Sequence, residues 1–466
     1  MSLRFGTDGV RGVAGVDLTA ELVLALGRAA ATVLGRRGQP FVVGRDTRWS
    51  GPMLQAAFSA GLASEGVDVV DLGVLPTPAV ADTALETAGP AAVISASHNP
   101  FSDNGVKLLA AGGRKLTDDE EAAVEAAVEA AMGTARAGPA RTAGSGPGSP
   151  VGRRLGRLSA DPGAAERYCA AAVAALDGRS LGGLPVVIDC AHGAASITAP
   201  AIFETAGANL VGVLGADPDG SNINEGSGST DPAALAALVL ESGAAAGLAF
   251  DGDADRVIAV DERGQVVDGD RLLALFATDL HEQGRLRGPG VAVTVMSNLG
   301  FHRAMAAHGI QVAATPVGDR HILAALEERE WVLGGEQSGH IVFRDLFPHV
   351  APTGDGALSG LLLLDLLVRW GRPLSVAAGA AMEQMPQVLR NVRVAGQREL
   401  QEARALWDEV GRVEAELGDA GRVLLRPSGT EPLVRVMVEA PTEAAAAAAA
   451  DRLVAAVEAA LGPGRA

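Results

Sequence analysis

The sequence predicts an α/β protein: three similar α/β domains in tandem, with mixed sheets, followed by a smaller C-terminal α+β domain. Three observations carry this expectation. Short β-rich runs alternate with Ala/Leu-rich stretches of helical length, which is the rhythm of βαβ units. The alternation is interrupted by a Gly/Pro/Ser/Arg-rich stretch and then starts again twice. The last segment breaks the rhythm, with β-rich runs set around two helical stretches.

In order along the chain, a helix over 19–35 leads to the strand FVVGRD, and a helix over 52–65 leads to VDVVDLG and AAVISAS. The stretch GTARAGPARTAGSGPGSPVGRR, 133–154, has no periodicity and reads as a linker. The second unit opens at LPVVIDCAHGAAS, with a helix over 197–207 and the strand ANLVGV, and closes near GLAFDGDADR. A third follows at GVAVTVMSN, with a helix over 300–308, the strand IQVAATP and an apolar helix over 358–370. NVRVAG, a helix over 398–417, GRVLLRPSGTEPLVRVMVEA and an Ala-rich helix over 442–461 make the last unit. The expected domains are therefore 1–150, 151–250, 251–370 and 371–466.

Composition narrows the function. A chain of 466 residues exceeds one compact core and suggests three or four. With 38 Lys plus Arg against 56 Asp plus Glu, the net charge of −18 disfavours nucleic acid or an anionic membrane as partner. Two cysteines, Cys169 and Cys190, make no disulfide framework and suit a reducing cytoplasm. MSLRFGTDGVRG lacks the apolar core of a signal peptide, and LSGLLLLDLLVRW is too short to span a bilayer and contains Asp365.

Four segments carry chemistry. In AVISASHNPFSDNGVK, Pro100 restricts Asn99 and breaks any helix, so the Ser97 hydroxyl is expected at the carboxyl end of a strand, where open α/β sheets bind ligands. Read alone, Ser97, His98 and Asn99 equally supply turn hydrogen bonds. GLAFDGDADRVIAVD sets Asp251, Asp253 and Asp255 at alternate positions, so an extended segment would converge three carboxylates on one hard cation, favouring Mg²⁺. An EF-hand would place Glu262 at its twelfth position, but Arg256 stands where the sixth needs Gly. WVLGGEQSGHIVF carries Glu336, Ser338 and His340 at alternate positions, a face suited to sugar hydroxyls. LLRPSGTEPLVRV sets Arg426, Ser428, Gly429 and Thr430 in a turn, with Arg435 following, the donors a phosphate dianion takes. Arg11 lies in a Gly-rich turn and Lys107 ten residues after Ser97.

Taken together and in this order, the serine, metal, sugar and phosphate segments resemble the α-D-phosphohexomutase superfamily. Within it, RFGTDGVRG, GRDTRWSG, LGVLPTPAVA, DCAHGAAS, SNINEGSGST, VMSNLGF, GGEQSGH and RPSGTEPLVRVMVE are similar to the bacterial branch that acts on glucosamine phosphates, over nearly the whole chain. The resemblance implies four domains around a central cleft and isomerisation of glucosamine 6-phosphate to glucosamine 1-phosphate, which feeds cell-wall precursors. It implies a phosphorylated Ser97, rather than Ser95, and one Mg²⁺ per chain held by Asp251, Asp253, Asp255 and an oxygen on Ser97. Arg11 and Arg256 would steady the transferring phosphoryl, and Lys107 would act as general acid/base with His98 nearby. Glu336, Ser338 and His340 would grip sugar hydroxyls. Arg426, Ser428, Gly429, Thr430 and Arg435 would hold the phosphate that is not reacting. A sugar bisphosphate would be intermediate and activator, turning over in the cleft while the last domain swings about a hinge near 368–374. Hexosamine phosphates are the expected partners, and a homodimer the one protein assembly expected.

The chain departs from the family pattern at His321, where Tyr is usual, at His192 in place of Asn, in a longer loop at 344–353 and in an enlarged linker near 134–157. Three other functions share these residues: a phosphomannomutase/phosphoglucomutase, a Mg²⁺-dependent sugar-phosphate phosphatase in which Ser97 is a bystander or transient nucleophile, and a noncatalytic sugar-phosphate sensor. Chemistry offers one hint for the amino sugar, since Glu336 could favour a cationic amine.

Overall fold

Apolar strands flanked by helices bury both faces, and the first sheet shows how this is arranged. The computed structural model describes residues 5–6, 9–36, 38–136, 150–395, 397–427 and 433–462. Ser428, Gly429 and Thr430 lie outside those residues, as does most of the stretch read as a linker. The first sheet holds β1 (Val10–Val13), β2 (Phe41–Arg45), β3 (Val69–Val74), β4 (Ala91–Ile94), β5 (Asp103–Ala110), β6 (Arg114–Lys115) and β7 (Leu158–Ala160), in the order β1-β5-β4-β2-β3-β7 with β6 on β5. Phe41, Val43, Ala92 and Ile94 point to one core, with the helices Ala20–Val33 and Gly51–Ser64. Val42, Ala91 and Val93 point to another, with the helix Thr77–Thr87. That is the two-sided burial of a parallel sheet.

The second sheet runs β12-β11-β10-β8-β9, with β8 (Pro185–Asp189), β9 (Asn209–Leu214), β10 (Ala246–Phe250), β11 (Val257–Asp261) and β12 (Val266–Val267). The third runs β14-β13-β15-β16, with β13 (Gly290–Thr294), β14 (Gln311–Thr315), β15 (Leu333–Gly335) and β16 (Ile341–Phe343). Each of these three sheets pairs its parallel strands with a closing antiparallel partner: β4 with β5, β10 with β11, β15 with β16. The serine, metal and sugar segments occupy the three corresponding turns. The C-terminal sheet is antiparallel, β17 (Gln387–Arg393), β19 (Leu433–Glu439) and β18 (Arg422–Pro427) in the order β17-β19-β18, against the helices Arg404–Leu417 and Glu443–Leu461.

Two expectations change. A division at 250/251 would cut the hairpin of β10 and β11, which pair along their whole length, so the metal turn belongs to the second sheet. Likewise β7, beyond 150, pairs with β3 of the first sheet. The segment 368–374, expected as a hinge, is also not the passage to the last domain. The helix Gly356–Trp370 ends at Gly371 with φ +61°, and a further helix, Leu374–Ala381, packs on the helix Gly269–Glu282 of the third domain. The passage to the last sheet is therefore 382–386, where Asn298 donates to the Met385 carbonyl and accepts from its N–H, both at 2.9 Å.

Some helices lacked a readable stripe. Thr77–Thr87 is buried along most of its length, so no polar face marks it. Asp118–Arg136 opens on four acidic residues and buries only Val124 and Val128 among its described side chains, but carries a capping box: Thr117 Oγ1 accepts from Glu120 N–H, and Glu120 accepts from Thr117 N–H. That helix runs into the stretch read as a linker. One apolar core joins residues of the first three domains, whereas the C-terminal domain has its own. No helix among the described residues is long and apolar enough to cross a membrane.

Candidate active site

β4 delivers the chain to Ser97 at its carboxyl end, as the sequence predicts. Ser97 is buried with φ +52°, and its Oγ donates to Asp251 Oδ2 at 2.5 Å. Gly252 makes this approach possible: a Cβ there would fall 2.6 Å from the Ser97 carbonyl oxygen. His98 Nδ1 lies 3.3 Å from Ser97 Oγ and 3.1 Å from an Arg256 guanidinium nitrogen. Since the guanidinium can only donate, Nδ1 accepts and the ring carries its proton on Nε2. Burial, then Arg256 and Arg11, push His98 down to about 4, so the ring is neutral near pH 7.

The three aspartates converge, though not in the way an extended segment would bring them together. Residues 251–256 form a turn with Ala254 at φ +56°, and its curvature gathers ligand oxygens of Asp251, Asp253 and Asp255 within 4.8 Å of one another. Lys107, buried on β5, donates to Asp253 at 2.7 Å and Asp255 at 3.0 Å, and Thr77 Oγ1 donates to Asp253 at 2.5 Å. Burial, then Asp255 and Asp253, hold Asp251 well above the usual carboxylate range. Burial also pushes Asp255 up, but Lys107 and His340 outweigh it and hold Asp255 well below. Asp253 Oδ1 and Asp255 Oδ1 are buried with no hydrogen-bond partner among the described residues. Three crowded hard oxygens, two with spare capacity, fit Mg²⁺. The EF-hand alternative is excluded: Glu262 follows β11 and accepts from Ser375 N–H at 3.1 Å and from the Ser375 hydroxyl.

The sugar segment also turns rather than extends. Glu336 N–H bonds the His340 carbonyl at 2.9 Å, closing the hairpin of β15 and β16, so the expected alternating face is not formed. Glu336 and Ser338 stay half-buried, with Ser338 Oγ 3.4 Å from one Glu336 oxygen and Gly318 N–H donating to the other. His340 is 3% exposed and sits between Asp255, at 3.7 Å, and Asp319, at 3.8 Å. It braces the metal turn from behind.

On the C-terminal sheet Arg426 and Arg435 lie opposite each other in register, on one face. Both Nε atoms are buried without a hydrogen-bond partner among the described residues. Burial, then Arg435, lowers Arg426, while Glu336 acts against them. Arg11, on β1 opposite Gly105, completes the cationic set around His98.

Sequence reasoning missed several residues here. Arg48 and Asp46, in the loop after β2, are fully buried beneath the serine turn. Asn224 of the second domain donates to the Ser97 and Asn99 carbonyls at 3.0 and 3.1 Å. Tyr168, the only tyrosine, donates at 2.9 Å to Asp355, which caps the helix Gly356–Trp370 behind the metal turn. An Asp-x-Arg at a strand end was the legible signal for the first pair. For the others there was none.

Comparison with known proteins agrees with the four-domain fold. The chain matches the four domains of the phosphoglucomutase/phosphomannomutase family: α/β/α domain I over 2–134, domain II over 166–264, domain III over 268–385 and the C-terminal domain over 389–456. It is 50% identical over 472 residues to the phosphoglucosamine mutase of Frankia alni, covering 99% of each chain. To that of Acidothermus cellulolyticus it is 52% identical over 465 residues, covering 98% of this chain and 96% of the relative. A phosphoglucomutase/phosphomannomutase family protein of Burkholderia thailandensis superposes with a TM-score of 0.79 at 27% identity, covering 97% of each chain. The N-acetylphosphoglucosamine mutase of Aspergillus fumigatus, solved with GlcNAc-6P and magnesium, shares the fold at a TM-score of 0.71 and 19% identity, covering 99% of this chain and 96% of that one.

Proposed function

We propose, from the premise that this chain belongs to the phosphoglucomutase/phosphomannomutase family and is an intramolecular phosphotransferase, that it interconverts glucosamine 6-phosphate and glucosamine 1-phosphate. The observation that carries the mechanism is the buried Ser97 hydroxyl held 2.5 Å from Asp251, inside a cluster of three carboxylates. The substrate follows from relatives named phosphoglucosamine mutase that match almost the entire chain at about half identity. The free thiols of Cys169 and Cys190 are in keeping with a cytoplasmic reaction.

The working enzyme carries a phosphate on Ser97. Mg²⁺, held by Asp251, Asp253, Asp255 and a phosphoserine oxygen, would supply positive charge against the transferring phosphoryl. Arg256 and Arg11 add charge from the protein, and His98, a neutral ring, accepts from Arg256 and keeps it aimed. Lys107, which donates to Asp253 and Asp255, is the general acid/base of this reading: in its neutral form it takes the proton of the attacking sugar hydroxyl O1 as phosphorus leaves Ser97 Oγ. The bisphosphorylated sugar then turns over, and its phosphate on O6 returns to Ser97 while the proton goes back to O6. Arg426 and Arg435 hold whichever phosphate is idle, joined in this reading by Ser428, Gly429 and Thr430. Glu336, positioned by Ser338 and Gly318, takes the cationic amine.

Intact-mass measurement tests the chemistry: one added phosphate on the wild type, mapped to Ser97, and none on Ser97→Ala. Phosphate found on Ser95 or Ser102 would overturn it, and phosphate released without isomer would mean a hydrolase. Comparing kcat/KM for glucosamine 6-phosphate and glucose 1-phosphate tests the substrate, and equal values would favour the neutral-hexose mutase.

A further inference from the structure

The serine turn is held by a group that the mechanism does not use. Arg48 is 0% exposed and among the largest fully buried side chains. Its guanidinium donates to the carbonyl oxygens of Ser97 and Asn99 at 2.8 Å each, of Asp103 at 3.1 Å, and of Pro100. Its Nε donates to Asp46 Oδ2 at 2.9 Å, and its own backbone N–H to Asp46 Oδ1 at 2.9 Å. Asp46 Oδ2 also accepts from Ser95 Oγ at 2.7 Å, and Ser95 Oγ accepts from Ser97 N–H at 2.9 Å.

These bonds close a ring. Starting at the Ser97 N–H, it passes through Ser95, Asp46 and Arg48 and returns to the Ser97 carbonyl. Both backbone groups of one residue are thus held by a single charged pair. A chain reversal between two antiparallel strands does not need this, because Gly or Asn turns make such reversals without burying charge, and a buried ion pair is not in itself a stability gain. What the ring does hold is a non-glycine residue in the left-handed region, a conformation that persists only where its surroundings over-determine it.

We infer that Arg48 and Asp46 are positioning residues for phosphoryl transfer, fixing the backbone of Ser97 so that its Oγ points into the carboxylate cluster. Their polar atoms are committed to the protein, Arg48 to four carbonyl oxygens and Asp46, and Asp46 to Arg48 and Ser95. The inference rests on the reading of Ser97 as the phosphorylated group. It also accounts for Ser95, whose hydroxyl proton is committed to Asp46 and whose oxygen is engaged by Ser97 N–H. Asn224 extends the clamp from the second domain, donating to two of the carbonyls that Arg48 holds.

The test uses the full-length enzyme with Mg²⁺, glucosamine 6-phosphate as substrate and glucose 1,6-bisphosphate as activator. Arg48→Lys keeps the charge but loses the fork that reaches four carbonyls. Its kcat is expected to fall about 100-fold, the cost of a misplacement of order 1 Å, while KM stays within about three-fold. Should Arg48→Lys not fold, Asp46→Asn and the milder Asn224→Ala carry the test, with expected kcat losses of about 10-fold or more and of about three-fold to ten-fold at unchanged KM. Folded variants that turn over at the wild-type rate, or whose whole loss falls in KM, would overturn the inference. The outcome is separable from that for Ser97. An active Ser97→Ala would sink the phosphoserine reading, whereas an inactive Ser97→Ala beside a fully active Arg48→Lys would sink only the positioning role.

Discussion

The serine and metal turns and the arginines of the C-terminal sheet face the same chemistry from opposite conditions. Around Ser97 the backbone is held by Arg48, Ser95 and Asn224, and the carboxylates below it by Lys107 and Thr77. Arg426 and Arg435 stand in register with buried Nε atoms that the described residues leave unpartnered. The first group belongs to domains that share a core, the second to a domain with its own. The C-terminal domain meets the third through Asn298 with Met385, through Glu439 with the Leu299 N–H at 2.9 Å, and through Arg422 with the Ser297 carbonyl. The difference teaches a division of labour. In the proposed reaction, geometry is set by the fold where bonds would be made and broken, and donors stay open where a phosphate would be gripped and released.

The comparison breaks most decisively at Ser97. Ser97→Ala is expected to lower turnover by roughly 10⁴-fold or more with the fold intact, read by steady-state kinetics beside circular dichroism. Appreciable residual turnover would mean that the prepared side is not where the chemistry occurs. Next comes Asp251→Asn, for which kcat/KM should drop by about 10²-fold to 10³-fold and the Mg²⁺ concentration for half-maximal rate should rise at least about 10-fold. A Mg²⁺ titration of the rate checks it.

On the open side, Arg426→Ala with Arg435→Ala should cost about 10²-fold in kcat/KM, mainly through KM, and leave phosphate occupancy of Ser97 at the wild-type level. An equal loss of occupancy in the mass spectrum would show that the two regions are not separate in function.

The smallest effect concerns the stability of the shared core. Burial pushes Asp355 up to about 6, against which the Leu358 N–H and Tyr168 hydroxyl act. A carboxyl raised on folding binds its proton more tightly in the folded state, so its contribution to stability is lost as pH rises from about 4 to about 6, by at most about 3 kcal/mol. Asp355→Asn keeps the helix cap and removes the titration. Denaturant unfolding at pH 4 and pH 7 should show the variant gaining relative to wild type at the higher pH, and equal differences at both pH values would refute the assignment.

Much of this was legible beforehand. The α/β rhythm of the first three domains, Ser97 at the end of β4, and the grouping of Asp251, Asp253 and Asp255 all follow from periodicity and spacing. The geometry proposed for two turns did not. Alternation in an extended chain would unite the aspartates and align Glu336, Ser338 and His340, but both segments are hairpin turns, and His340 ends behind Asp255. The passage to the last domain lies beyond 368–374 because of the eight-residue helix Leu374–Ala381, which is rich in Ala, largely without polar residues and carries no strong stripe of its own.

By itself the sequence determined the order of the parts: which residues are apolar at strand or helix period, where Pro and Gly end them, and which oxygens and nitrogens each turn presents. These are local properties, set within a few residues by backbone sterics and side-chain type. Only the tertiary structure decided which atoms meet. Ser97 and Asp251 stand 154 residues apart in the chain and 2.5 Å apart in space, and Lys107 reaches Asp253 across 146 residues. Contacts of that precision depend on how whole sheets pack and how sharply each turn bends, and no periodicity encodes either.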